Sequence, residues 1–346
     1  MDKQLDKIYD QDVVLYGAGK YGRQALENIR KYYPQMKIKY FIDDNRVRNR
    51  EAVDGIEIVS LTEAMQKLSD DFYVLITNYY VSEVLKKIEA AQFDLKRVLF
   101  SSALLIEDVE PAYIEEHREA LEQTYEMLGD YESKMIYRTM LESRFTKNID
   151  VLTRTCKHRQ YFPVEDILEI GTEEVFVDAG AFDGDTIKDF LELTGGQCKY
   201  IYAFEPDAAN CERLRERNYA ENVKIFNAGL FDKTDTLSFS ANKGGSSKIE
   251  SSGTEKIEVL RFDELDLPDK NVTFVKMDIE GSELKALEGM QEIIKANKPK
   301  LAICIYHKLE DLWEIPGLIK ELVPEYKLYI RNYTTYLDEI VLYATL

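Results

Sequence analysis

Strand-like and helix-like patterns alternate strictly along two long stretches of this chain, and few folds accommodate that. From Asp12 the strands "DVVLYG", "KIKYFID", "FYVLIT" and "KRVLF" are separated by the amphipathic runs "KYGRQALENIRKYY", "SLTEAMQKL" and "YVSEVLKKIEAA". From Glu174 the strands "EVFVDA", "KYIYAFE", "VKIFNAGL", "VTFVKMD" and "KLAICIYH" recur with helices at "DTIKDFLELT", "DAANCERLRERNY", "SELKALEGMQEIIKAN" and "IPGLIKELVP". Such alternation predicts parallel β-α-β units with helices on both sheet faces. "KLYIRNY" and "EIVLYAT" have no room for a helix between them and predict an antiparallel hairpin at the edge of a seven-stranded sheet. Between the two regions, Pro111 to Asn148 is continuously helical in pattern, as one or two long helices bridging two folded units.

The fold class expected is therefore α/β, with two Rossmann-like domains joined by a helical bridge. The boundaries expected are 1–105 for a nucleotide-binding module, 106–165 for the bridge and 166–346 for the second domain. A length of 346 residues suits two domains. No apolar run approaches the roughly 20 residues of a membrane span. The polar start "MDKQLDKIYDQD" is no signal peptide, so a cytoplasmic protein is expected. Four cysteines without a CxxC pair predict free thiols and neither structural zinc nor a disulfide framework. A net charge of −19 argues against nucleic-acid or anionic-membrane partners. Two short basic clusters, "NRVRNR" (Asn45–Arg50) and "CKHR" (Cys156–Arg159), read first as solvated loops.

Each alternating region carries a glycine loop, and the two loops differ chemically. In the first, Gly17, Gly19 and Gly22 form G-x-G-x-x-G between a strand and a helix, with Lys20 and Arg23 nearby and no acid. Asp43 ends the next strand, where an acid reaches a ribose hydroxyl. That pattern fits NAD or a nucleotide-sugar, or a loop that only packs helix on strand. The second loop, "VDAGAFDGDT", holds Asp178, Asp183 and Asp185. Carboxylates would repel a pyrophosphate but suit a ligand with cationic centres, and S-adenosylmethionine carries a sulfonium and an ammonium. Glu205, about 20 residues on in "FEP", stands where a strand-end acid accepts ribose hydroxyls, and Pro206 fixes the turn that follows.

The segments "VDAGAFDGDT", "AFEPD", "NAGLFD", "GGSSKI", "VKMDIEGSELKALEGM" and "IYHKLEDLWEIP" occur in an order that resembles the FkbM family of S-adenosylmethionine-dependent methyltransferases, over about half the chain. The resemblance implies a class I seven-stranded methyltransferase fold for the C-terminal domain. It also implies that Asp178, Gly180, Phe182, Asp183, Gly184 and Thr186 hold the methionine end of the cofactor, Glu205 and Pro206 the ribose, and Ala228 and Gly229 border the adenine. Asp183 replaces a frequent asparagine of the family. The N-terminal region, on "FIDDN" and "DGIEIVS", is similar to small nucleotide-binding modules of sugar-modifying proteins.

Asp278 and Glu280, at the C-terminal end of the fourth strand of this domain, and His307, after the fifth, are the candidate catalytic residues, since ligands of open α/β sheets converge there. For Ser282 and Glu283 helix-start chemistry is the competing account, and for Glu283 it is the one preferred. His307 reads either as a general base for a hydroxyl or as a hydrogen-bonded spacer. His117 and His158 are expected to be exposed. A divalent ion bridged by Asp278, Glu280 and His307 is conceivable, but the spacing does not demand it and no metal site is expected. The expected reaction is O-methylation of a sugar, a nucleotide-sugar or another hydroxylated small molecule. Methylation of nitrogen or carboxylate, a cofactor-binding scaffold without turnover, and an N-terminal dehydrogenase are the alternatives; oligomeric state is not readable.

Overall fold

The computed structural model describes residues 5–44, 52–68, 71–149, 152, 155–157, 160–162, 164, 167–240, 248–249 and 255–346. The chain divides into two compact units, residues 1–114 with 141–151 and residues 115–140 with 152–346. The cluster at Asn45–Arg50, His158 and Arg159 of the second cluster, and Gly244–Ser247 of "GGSSKI" lie outside the described residues.

In the first unit the elements run β1 (Asp12–Tyr16), α1 (Lys20–Tyr32), β2 (Lys37–Ile42), β3 (Ala52–Val53), β4 (Ile56–Val59), α2 (Leu61–Leu68), β5 (Tyr73–Ile76), α3 (Val81–Ala90) and β6 (Val98–Phe100). The sheet order is β3-β4-β2-β1-β5-β6. Every pairing is parallel except β3 with β4. Central strands β1 and β5 are apolar almost throughout because both faces of a parallel sheet are covered. The short β3–β4 hairpin is an addition to the expected pattern. Two-residue β3 is too brief to show periodicity, and Asp54–Gly55, both at positive φ, make the turn.

The helical stretch forms three helices, α4 (Pro111–Glu116), α5 (Arg118–Met127) and α6 (Tyr131–Thr146), where one or two were expected. It is shared between the units at Glu115 and Met140. Within the second unit, the backbone N–H of Gly129 donates to Leu328 O at 2.8 Å, and Ile330 N–H donates to Ser133 Oγ at 2.9 Å. Arg331 pairs with Asp130 at 2.7 Å. These contacts cover the outer edge of a sheet, which would otherwise present unpaired backbone groups. His117, expected to be simply exposed, instead stacks on Trp313 with centroids 4.8 Å apart.

The second unit continues with β7 (Val175–Ala179), α7 (Asp185–Leu193), β8 (Tyr200–Phe204), α8 (Ala208–Glu216), β9 (Val223–Phe226), β10 (Gly229–Leu230), β11 (Asp235–Ser240), β12 (Lys248–Ile249) and β13 (Glu255–Leu260). Then follow β14 (Phe274–Met277), α9 (Glu283–Glu288), α10 (Gln291–Asn297), β15 (Lys300–Cys304), α11 (Asp311–Leu322), β16 (Lys327–Asn332) and β17 (Ile340–Thr345). The seven-stranded sheet has the order β16-β17-β15-β14-β7-β8-β9, with β17 antiparallel to both neighbours. The expected terminal hairpin is thus seated with β17 between β15 and β16. A stack of Phe176, Phe190 and Phe274, with Phe162 set edge-on against them, anchors the buried core on one face.

Three local expectations are corrected. "VKIFNAGL" breaks into β9 and β10, and "SELKALEGMQEIIKAN" into α9 and α10. The stretch from Gly229 to Leu260, expected to hold no strand beyond its first two residues, contributes a four-stranded sheet of order β10-β13-β11-β12. Its strands bury little, Ile257 and Val259 being the core residues, so the alternation is diluted by exposed polar positions.

Candidate functional site

In the second unit, the C-terminal ends of β7, β8, β14 and β15 lie side by side, because parallel neighbours point the same way. The loop after β7 is built around a close approach. Gly180 has φ +79°, and a Cβ there would lie 1.9 Å from Asp278 O. Only glycine fits, which ties the loop after β7 to the turn after β14. Gly184 caps α7 in the left-handed region, beneath the Tyr219 hydroxyl. Phe182 is also left-handed, at φ +47°, and its ring is 46 % exposed, under the guanidinium of Arg213 at 5.7 Å. Thr186 is buried in the first turn of α7.

The three loop acids have different surroundings. Asp178 is fully buried, and Lys276 Nζ lies 3.1 Å from its Oδ1. Lys276 also donates to Gly180 O at 2.7 Å. Burial pushes the Asp178 carboxyl up to about 6, and the charge and hydrogen bond of Lys276 pull against that shift. The lysine is raised: the charges of Asp178 and Asp278 outweigh its desolvation. Asp178 therefore braces the loop from behind. Asp183 pairs with Arg217 at 3.0 Å on the partly exposed side, and Asp185 accepts from Thr186 N–H at 2.7 Å.

Glu205 closes the cradle from the end of β8. Its Oε2 accepts Phe182 N–H at 2.9 Å, and its Oε1 accepts Asp207 N–H at 2.9 Å and Asn210 Nδ2 at 3.4 Å. Burial raises the carboxyl, and these donors oppose the shift. A carboxylate has about four acceptor positions, so three donors leave room for one more. Asn227 donates to the carbonyls of Glu205 and Pro206 at 3.0 and 3.1 Å, which sets Ala228 and Gly229 beside Pro206.

Opposite the loop, Asp278, Glu280 and His307 are brought together as expected. Asp278 accepts from Tyr161 Oη at 2.9 Å and from Tyr306 Oη at 3.1 Å. Glu280 sits at φ +57° ahead of Gly281 at φ +90°, a turn that directs its carboxylate at the imidazole. His307 Nε2 is 3.5 Å from Asp278 Oδ1 and 3.7 Å from Glu280 Oε2, while Nδ1 is 3.0 Å from Glu283 Oε1. Burial works against the Asp278 charge, but His307, Lys276 and the two tyrosine hydroxyls outweigh it and hold the carboxyl below its ordinary value. Desolvation likewise opposes a charged His307, yet Glu283, Asp278 and Glu280 raise it to about 9.

Tyr161 and Glu283 belong to this cluster and carried little signal in the sequence. Tyr161 lies in a stretch without periodicity. Glu283 does act at a helix start, accepting Ile279 N–H at 2.8 Å, but it is completely buried and also faces the imidazole.

A pH dependence follows. A histidine raised in the folded state stabilises the fold fully below its ordinary value of about 6.5, and that stability is lost as pH rises through the folded value. A shift from 6.5 to about 9 corresponds to about 3 kcal/mol lost over that window. In chelator-containing buffer, urea unfolding should show this fall in the native protein and not in His307→Gln. Buried Asp311, which burial and Glu283 raise to about 7, titrates in the same range and is itself lowered by His307, so Asp311→Asn serves as the common background for both proteins. Equal slopes in both proteins would contradict the charge assigned to His307.

In the first unit, the loop of Gly17, Gly19 and Gly22 lies at the ends of β1 and β5, where the strand order reverses. A Cβ at Gly22 would be 1.9 Å from Gly17 O, so the third glycine is required for packing helix against strand. Asp43 Oδ2 accepts Ala18 N–H at 3.2 Å, and Thr77 Oγ1 donates to Gly17 O at 2.9 Å. The expected ribose acid thus holds the loop itself.

Residues 178–335 match the family model of the methyltransferase FkbM domain, a little under half of the chain. Methyltransferase FkbM from Methylobacillus flagellatus KT is similar in structure over 100% of this chain and 94% of that one, with a TM-score of 0.68 and 22% identity. Precorrin-6y C5,15-methyltransferase from Geobacter metallireducens GS-15 matches over 50% of this chain and 80% of its own, at TM-score 0.31 and 13% identity. Aeropyrum pernix fibrillarin, in complex with natively bound S-adenosyl-L-methionine, matches over 52% and 70%, at TM-score 0.31 and 11% identity. No curated protein matches the sequence significantly. Nothing in these likenesses supports NAD or a nucleotide-sugar for the first unit. Among the described residues no helix is long and apolar enough to cross a membrane.

Proposed function

We propose that this chain, whose residues 178–335 form an FkbM methyltransferase domain, is an S-adenosylmethionine-dependent O-methyltransferase of a sugar or another hydroxylated small molecule. The observation that carries the reading is the cradle between the loop after β7 and Glu205. There a buried strand-end carboxylate holds the loop by Phe182 N–H and keeps one acceptor position unused.

The residues present fit the cofactor. Glu205 would take a ribose hydroxyl, the backbone from Gly180 to Thr186 the methionine end, and Ala228 and Gly229 the side of the adenine. Bound there, S-adenosylmethionine supplies an electrophilic methyl group. The three acids share the work unequally. Asp178 already has Lys276 as its counter-ion, so the ligand's cationic centres are left to the field of Asp185 and Asp278. Asp183 is compensated by Arg217.

The acceptor hydroxyl would enter beside Asp278, Glu280 and His307, where it must be aligned and lose its proton. With its pKa raised to about 9, His307 is cationic at neutral pH in this arrangement. It then serves as a donor to the acceptor oxygen, and the carboxylate of Glu280 takes the proton, while Asp278 is held by Tyr161 and Tyr306.

Glu205→Ala is the direct test. Removing a charge-assisted hydrogen bond is worth about 1.5–3 kcal/mol, so calorimetry should show S-adenosylhomocysteine binding weakened about 10–100-fold. Unchanged affinity in a variant with native circular dichroism would remove the basis of the reading. Methyl transfer from labelled cofactor to a panel of glycosides then tests the acceptor class; tight binding without transfer to any hydroxyl would favour a scaffold.

A further inference from the structure

His307 is surrounded by more negative charge than any step above requires. Its side chain is 2 % exposed, and Nε2 makes no hydrogen bond to a described residue. A buried polar group left so is unfavourable. The two nitrogens face different partners. Nδ1 is 3.0 Å from Glu283 Oε1, an oxygen already fixed by Ile279 N–H at 2.8 Å. Nε2 points between Asp278 Oδ1 at 3.5 Å and Glu280 Oε2 at 3.7 Å. Those separations are too long for hydrogen bonds. They suit two ligands of one ion, since bonds of about 2.1 Å place tetrahedral ligands about 3.4 Å apart.

We propose that Asp278, Glu280 and His307 Nε2 form a binding site for a divalent transition-metal ion. Spacing along the chain does not ask for a metal; the unpartnered Nε2 and its two facing carboxylates do. Two carboxylates and a neutral imidazole balance a charge of 2+. Glu283 takes the Nδ1 proton and so fixes the tautomer that turns the Nε2 lone pair outward, the role that a carboxylate behind a ligating histidine fills. Tyr161 and Tyr306 hold Asp278 from its far side, as ligating carboxylates are usually held. One ligand atom from each of Asp278, Glu283 and His307 lies within 4.8 Å of the others, whereas Glu280 joins the cluster through His307 Nε2. The Nε2 side is the better assignment because Glu283 Oε1 is already bonded to backbone.

One nitrogen and two oxygens suit Mn²⁺, Fe²⁺, Co²⁺ or Zn²⁺ better than Mg²⁺ or Ca²⁺, which favour all-oxygen sites. Three protein ligands leave a coordination position open for an acceptor oxygen. The site stands independently of the methyl-transfer reading; an ion bound there displaces the Nε2 proton, so the proton roles given above to His307, Asp278 and Glu280 belong to the metal-free protein.

The full chain, stripped with chelator and exchanged into metal-free buffer, should take up one saturable equivalent of Mn²⁺, followed by electron paramagnetic resonance. Co²⁺ should give visible absorption of a low-coordinate nitrogen and oxygen set. Asp278→Asn, Glu280→Gln and His307→Gln should each weaken Mn²⁺ binding at least about 100-fold, and Glu283→Gln about 10–100-fold. Glu280→Gln, on a partly exposed turn, is the variant least prone to misfold, and circular dichroism of each variant checks the fold. Absence of a saturable equivalent for Mn²⁺, Co²⁺ and Zn²⁺ would overturn the proposal. So would affinity kept within threefold in folded Glu280→Gln, or an effect of Glu283→Gln exceeding that of Glu280→Gln. S-adenosylhomocysteine binding in the same samples reports separately on the cofactor site.

Discussion

Lys276→Met is expected to lower folding stability by about 3–5 kcal/mol, because it strands a buried carboxylate. Asp178 is fully buried, and its Oδ1 lies 3.1 Å from the ammonium of Lys276, which also donates to Gly180 O. Methionine preserves most of the side-chain volume, so the change isolates the charge. Adding Asp178→Leu should recover much of the loss, since an apolar pair is often no worse than a buried ion pair. Urea unfolding of both single variants and the double would measure this coupling. If Lys276→Met costs less than about 1 kcal/mol at unchanged m-value, the pair is not what braces the loop.

Gly180→Ala should be nearly as damaging, for a different reason. The added Cβ would meet Asp278 O at 1.9 Å and Ile279 Cγ2 at 3.3 Å, and the residue would be held at φ +79°. A backbone carbonyl cannot step aside as a side-chain end can, so the loop after β7 and the turn after β14 must separate. A loss above about 3 kcal/mol is expected, together with loss of measurable S-adenosylhomocysteine binding. Gly195→Ala provides the control, having φ +63° but no atom within 4 Å of the added carbon. It should lose only about 1 kcal/mol, the effect of φ alone. Similar melting temperatures for the two variants would mean that the close approach at Gly180 does not constrain the fold.

Much of this architecture was legible in the residues. The buried strands β1, β5, β7, β8, β14 and β15 are short apolar runs that keep their character because both sheet faces are covered. Glu205, Asp278 and His307 could be found because each follows such a strand at the edge where ligands of these sheets gather. The small β10-β13-β11-β12 sheet was not legible, since its few buried positions leave no clear period. Nor was the division of the helical stretch. Its Tyr and Leu positions look alike in sequence, and only packing against α11 and β16 distinguishes those of the second unit.

The sequence alone determined the parallel sheets, the position of the acidic glycine loop and the acids that end its neighbouring strands. Strand periodicity, glycine spacing and strand-end position are local properties of a chain, and they survive without a partner. Tertiary structure alone decided which acids remain free to act. Lys276 claims Asp178, Arg217 claims Asp183, and Glu283, which local chemistry explains as a helix start, is turned towards His307. A carboxylate's role depends on its nearest charge and its distance from water, and both are set by residues far away along the chain.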